Sequence, residues 1–192
     1  MRVIPLPRCV HTLTALMLLA CGVGACVNAT PTSPPPAAQP VHTPSASACR
    51  LPRFESELLQ RVNEFRSAPR SCGARGRFAA AGPVRWSAAL VKLASTHASD
   101  MALRNEVTHD DVRGRGPAQR ATQAGYDWSV FAENVAGNYP GAAEVMAGWQ
   151  GSPGHCVNLM DPAVTEVGVA CVPGTPTSEF KTYWAMELAR PR

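Results

Sequence analysis

Between residues 28 and 48 the chain carries Pro31, Pro34, Pro35, Pro36, Pro40 and Pro44 among Thr, Ser and Ala. Such a stretch has almost no apolar surface to bury and cannot offset the entropy of ordering it. It therefore divides the chain. Residues 26–48 are expected to form a linker stiffened toward polyproline geometry, at about 3.1 Å per residue. What folds must lie after it, in residues 49–192.

The residues before the linker read as an export signal. Arg2 and Arg8 give a short positive region, and residues 10–25 then run almost free of charge, with Leu13, Leu16, Leu18 and Leu19 at their centre. This order of charge, apolar run and small residues is that of a secretory signal over residues 1–25. Broken by Gly22 and Gly24, it is too short for the ~20 apolar residues of a membrane span. Val23-Gly24-Ala25-Cys26 has the pattern of a lipobox, in which Cys26 would be lipidated. Leu18-Leu19-Ala20-Cys21 is a second candidate, and ordinary cleavage near Ala25 or Ala29 a third reading. Cysteine parity favours Cys26. Lipidation there leaves Cys49, Cys72, Cys156 and Cys171, an even set suited to disulfides in an oxidising compartment. Val27, in place of the Asp that retains lipoproteins at an inner membrane, points to an outer-membrane address if the cell is Gram-negative.

A formal charge of +4 comes with scattered arginines and no basic run interleaved with aromatics, so a nucleic-acid partner is not expected. Apolar periodicity predicts a helix over 54–67, with Leu58, Leu59, Val62 and Phe65 on one face. Residues 70–83 read as a loop holding Cys72. A second helix starts after Ser87, with Leu90, Leu93, Ala94, His97, Ala98 and Met101 on its inner side. Short helices are expected over 117–124 and 142–149, the latter halted by Gly151 and Pro153. Strands are expected over 131–136, 165–172 and 180–188. In the last of these Phe180, Thr182, Trp184 and Met186 face one way, and Lys181, Tyr183, Ala185 and Glu187 the other. Helices followed by late strands with helices between them predict an α+β layered domain.

Several segments together resemble one family. Ala94-Ser95-Thr96-His97-Ala98-Ser99-Asp100-Met101-Ala102, Thr108-His109, Ala132-Glu133-Asn134-Val135-Ala136 and Gly148-Trp149-Gln150-Gly151-Ser152-Pro153-Gly154-His155 come in its order. Asn158-Leu159-Met160-Asp161-Pro162, Thr165-Glu166-Val167-Gly168-Val169 and Thr182-Tyr183-Trp184 complete the set. They resemble the CAP superfamily of cysteine-rich secretory and pathogenesis-related proteins. The resemblance implies an α-β-α sandwich around a central antiparallel sheet. It also implies a surface cleft at which His109, Glu133 and His155 converge. Ser152 stands where eukaryotic members carry a second Glu.

Two imidazoles and a carboxylate can hold a divalent ion such as zinc with an open position, His109 and His155 being the metal ligands. They can also polarise a water. His97, on the inward face of its helix, is expected to be structural. Cys156 is expected to pair with Cys171 at the end of the 165–172 strand, and Cys49 with Cys72. Three functions stay open: an envelope module binding a lipid, glycan or protein, a metal-dependent hydrolase, and a structural envelope protein with a vestigial cleft.

Overall fold

The computed structural model describes Cys49 and residues 53–192. The expected signal segment, the lipid site at Cys26 with its alternative at Cys21, and the linker lie outside the described residues. Among the described residues there are five α-helices: α1 (Phe54–Arg66), α2 (Ala88–Arg104), α3 (Pro117–Gln123), α4 (Ala142–Gly151) and α5 (Pro153–Met160). The strands are β1 (Arg70–Ser71), β2 (Arg77–Phe78), β3 (Arg85–Trp86), β4 (Trp128–Gly137), β5 (Glu166–Pro173) and β6 (Thr182–Pro191). β1 and β2 form a small antiparallel hairpin around a 3-10 turn at Gly73–Arg75. The main sheet runs β3-β5-β6-β4. Its three long strands are antiparallel, and β3 joins the edge in parallel with β5.

The alternation read in the last strand is the organising feature. β6 is buried from Thr182 through Ala189, so both of its faces are covered. Trp184, Met186 and Leu188 enter one core with Leu58 and Val62 of α1, Val145, Met146 and Trp149 of α4, and Leu159 of α5. Tyr183 and Ala185 enter a second core with Ala94, Ala98 and Met101 of α2. Period-two strands thus meet period-3.6 helices on each side, giving the three-layer α-β-α arrangement.

Two features sharpen this packing. Gly168 of β5 lies directly under α2, and a Cβ there would collide with the backbone of Leu90 and Val91. Only glycine permits that approach. Arg66, fully buried at the end of α1, donates to the carbonyls of Gly82, Leu159 and Asp161 at 2.8, 2.6 and 2.9 Å. One guanidinium thereby fastens α1 to the chain on both sides of it.

Three expectations need correction. Pro153 does not simply halt the helix before it. It occupies the first turn of α5, where the missing N–H costs nothing. The segment around Cys72 is a hairpin rather than a loop. The disulfides are Cys49–Cys171 and Cys72–Cys156, with Cα atoms 5.2 and 5.5 Å apart, not the expected pairs. The reason is spatial. Cys156 is buried on α5 in a satellite core with Met160, Phe65 and Phe78, and the hairpin brings Cys72 there. Cys171 is the register partner of Trp184, whose indole stacks on Phe54 at 5.9 Å between ring centroids. The chain entering α1 therefore delivers Cys49 to Cys171. These bridges span 122 and 84 residues, so each is worth about 4–5 kcal/mol in chain-entropy terms.

Replacing Gly168 by Ala forces α2 off the sheet. A loss of about 3 kcal/mol or more is expected, read as a lowered urea midpoint with an unchanged slope.

Candidate functional site

His109 lies in the loop after α2, Glu133 on β4, Ser152 at the cap of α5 and His155 in its first turn. All four line one open cleft of about 620 Å³. Arg75 and Phe78 from the hairpin, with Val157 and Asn158 from α5, complete its walls. Cys72–Cys156 joins the two walls, which is why the hairpin stands beside the histidine helix.

Each site residue is held from behind. Asn158 donates to the Glu133 carbonyl at 3.0 Å and to Asn134 Oδ1 at 2.9 Å, while Asn134 donates to the His155 carbonyl at 3.3 Å. These bonds fix the height of α5 over β4. His97 is completely buried, and its Nε2–H donates to the Thr108 carbonyl at 2.8 Å, anchoring the loop one residue before His109. It sets the loop and does not face the cleft.

The charge centre is Glu133, whose side chain is 1% exposed. One oxygen accepts from His109 Nδ1 at 2.8 Å, and the other accepts from Arg120 Nη2. Arg120 also donates to the carbonyls of His109 and Arg115. Directly across the β4–β6 ladder stands Glu187, buried beside Glu133. Two facing carboxylates in an apolar setting cannot both ionise. Burial, reinforced by the charge of Glu133, raises Glu187 well above the ordinary carboxyl range. Burial also pushes Glu133 up to about 7, with Arg120 acting against it. The pair therefore takes its first proton on Glu187, and the contacts from Arg120 and His109 favour the anionic form of Glu133.

The imidazoles move the other way. His109 is depressed by burial and then by Arg120, His155 by burial and then by His109. Both are neutral at neutral pH. With Nδ1–H given to Glu133, His109 turns the lone pair of Nε2 outward. Its ring is half exposed. Ser152 makes no side-chain capping bond and no hydrogen bond to either imidazole.

This geometry decides what zinc would find. Both Glu133 oxygens are committed, so the carboxylate orients His109 and does not act as a ligand. Two imidazoles remain, against three protein ligands in catalytic zinc sites. Among the described residues no group of three His, Cys, Asp or Glu side chains is placed to hold a metal ion. The donor set does not fit the expected zinc site.

Arg120, Glu187, Arg75 and Phe78 went unforeseen in the sequence. Glu187 left a signal: it shares a strand face with Tyr183 and Ala185, so a carboxylate there had to be buried. Arg120 left none. Glu166 stands outside the cleft, where it accepts from Tyr126 Oη at 2.7 Å and pairs with Arg85.

His97 supplies a pH test. Burial, then Arg120, lower it from 6.5 to about 4, while Thr108 and Asp100 act in the opposite sense. Between these values the unfolded chain binds the extra proton, so this contribution to stability falls as pH drops from 6.5 toward 4. Raised Glu133 and Glu187 act with opposite sign, so the effect must be read as a difference. Wild type should lose about 2 kcal/mol more than His97→Gln between pH 7 and 4.5 in urea unfolding.

Residues 59–188 match the family described as "CAP: Cysteine-rich secretory protein family". Over 138 residues the chain is 23% identical to the uncharacterized protein YkwD of Bacillus subtilis, covering 72% of this chain and 50% of that one. The chain thus spans about half the length of this curated relative. An outer surface protein from Borrelia burgdorferi shares the fold at a TM-score of 0.56 and 16% identity, over 71% of this chain and 89% of that one. An extracellular SCP-domain protein from Bacillus anthracis aligns at a TM-score of 0.49 and 22% identity, over 57% and 34%. With the family matched over more than half its length and its layered fold in place, this chain belongs to the cysteine-rich secretory protein, or CAP, family.

Proposed function

We propose that this is an exported, lipid-anchored envelope protein whose cleft binds a glycan without cleaving it. One observation carries the reading: Glu133 is fully engaged by His109 and Arg120. A carboxylate so held orients a binding surface and is not free to act as base or nucleophile. Ser152 lacks an activating contact and the donor set does not complete a zinc site, so the hydrolytic alternative is left with His109 Nε2 as a general base and no nucleophile or metal beside it. The lining suits a sugar. The Ser152 hydroxyl and the His155 imidazole offer donors and acceptors, His109 Nε2 and Asn158 Oδ1 offer acceptors, and Phe78 offers a ring against which a sugar face can lie.

Export is supported by the N-terminal pattern and by two disulfides, which persist in oxidising compartments. No helix among the described residues is long and apolar enough to cross a membrane. Attachment through Cys26 then puts the domain at the membrane on its proline stalk.

Two measurements test this. Purified protein incubated with envelope oligosaccharides should show saturable binding in calorimetry, with the sugar recovered intact by mass spectrometry. Glu133→Gln should weaken binding about tenfold, because His109 loses its orienting partner. Sugar cleavage that disappears in Glu133→Gln would establish the hydrolase instead. Radiolabelled palmitate should enter the wild type and Cys21→Ser but not Cys26→Ser. Label retained in Cys26→Ser would remove the anchor from the proposal.

A further inference from the structure

The charges lining the cleft do not cancel. Glu133 at its floor is matched by Arg120, and the two imidazoles are held neutral. Asp110, next to His109 in the chain, is not part of the lining. Arg75 is, and it stands exposed on the hairpin wall with no carboxylate partner among the described residues. Arg70, in the same hairpin, differs: its guanidinium donates to the Phe65 carbonyl at 2.8 Å and lies over the Phe65 ring. Arg75 is thus the one cation facing into the cleft without a counter-charge among the described residues.

Its backbone is fixed there. Arg75 closes the 3-10 turn, its N–H donating to the Cys72 carbonyl at 3.1 Å, while the Cys72 N–H donates to the Gly76 carbonyl at 2.8 Å. Cys72 is bonded to Cys156, the residue after His155. A Cβ at Gly73 would come within 3.3 Å of the Pro153 side chain, so the turn sits close against the first turn of α5. The cation is therefore held at a set place relative to His155 and Ser152. Across the cleft His109 has given Nδ1–H to Glu133 and offers the lone pair of Nε2 from a half-exposed ring. The hairpin also supplies Phe78 to the lining.

We infer that the sugar this cleft selects is an acidic one, carrying a carboxylate on its ring; the inference rests on the glycan reading above and adds Arg75 as the residue that sets specificity. The carboxylate pairs with the Arg75 guanidinium, whose planar fork matches two carboxylate oxygens. A ring hydroxyl donates to His109 Nε2, and the sugar face lies on Phe78. A neutral sugar of the same shape leaves Arg75 facing water. One unpaired cation matches one carboxylate, not the dense charge of a polysulfated chain.

The probes are digalacturonate, its dimethyl ester and uncharged digalactose. The ester keeps the rings and loses only the charge. Each is titrated into the disulfide-intact protein and followed by amide NMR shifts, which read weak binding as well as tight. The acid is expected to bind saturably, with shifts at residues 75–78, 109 and 152–158, and about fivefold or more tighter than the other two. Arg75→Gln changes an exposed side chain and should fold normally by circular dichroism. It should bring the acid down to the affinity of the ester and leave the ester unaffected. Arg75→Lys, which keeps the charge without the fork, should recover part of the preference. A displaced hairpin would weaken all three sugars together, so the readout is the selective loss. Equal affinity for acid and ester, an Arg75→Gln variant that still prefers the acid, or one that weakens all three sugars alike overturns the inference and leaves the glycan reading standing. Failure of all three to bind removes both.

Discussion

A carboxylate buried opposite another carboxylate is the constraint around which this molecule is arranged. Glu133 and Glu187 face each other across the β4–β6 ladder, each with a side chain only 1% exposed. Left alone they would raise each other's protonation and give up the charge. Arg120 prevents this by contacting Glu133 while its other amino group holds the carbonyls of His109 and Arg115. α3 is only seven residues long, and Gly116 and Pro117 begin it. Its consequence for the site is the delivery of one guanidinium. The orientation of His109, the course of its loop and the charge of the cleft floor all follow from that contact.

The sheet supplies the rigidity this requires. β6 is covered on both faces and bonded on both edges, so groups mounted on it or on β4 have little freedom. Gly168 lets α2 settle directly onto β5, and α2 carries His97, which reaches from the interior to the Thr108 carbonyl. A buried histidine thus governs the placement of an exposed one twelve positions later. Neutral His97 is compatible with its setting because burial and Arg120 both oppose its protonation.

Much of this architecture was legible in the sequence, for physical reasons. Leu58 and Val62, or Ala94, Ala98 and Met101, lie at spacings that only a helix places on one face. The alternation through Tyr183, Trp184, Ala185 and Met186 announced a strand with two different neighbours. What escaped depends on contacts distant in the chain. β3 is two residues long and has no pattern of its own, existing because β5 lies beside it. Pro153 is equally a helix stopper and a helix starter, and only the buried Cys156 and Leu159 after it decide which. The cysteine pairing turned on which core each thiol entered, a three-dimensional matter. Arg66 looks like an ordinary helix-end cation until four carbonyls surround it. In the site, His109, Glu133 and His155 could be named from motifs, whereas Arg75 and Phe78 reach the cleft only through a disulfide.

The bond between Cys49 and Cys171 also has a mechanical meaning. A pull applied to the chain on the amino-terminal side of Cys49 passes through sulfur into β5, a strand bonded along β6 in the middle of the domain. It does not travel through α1, which would otherwise be the first element to peel away. Load arriving from that side therefore enters the sheet before the helices, and α1 is bypassed.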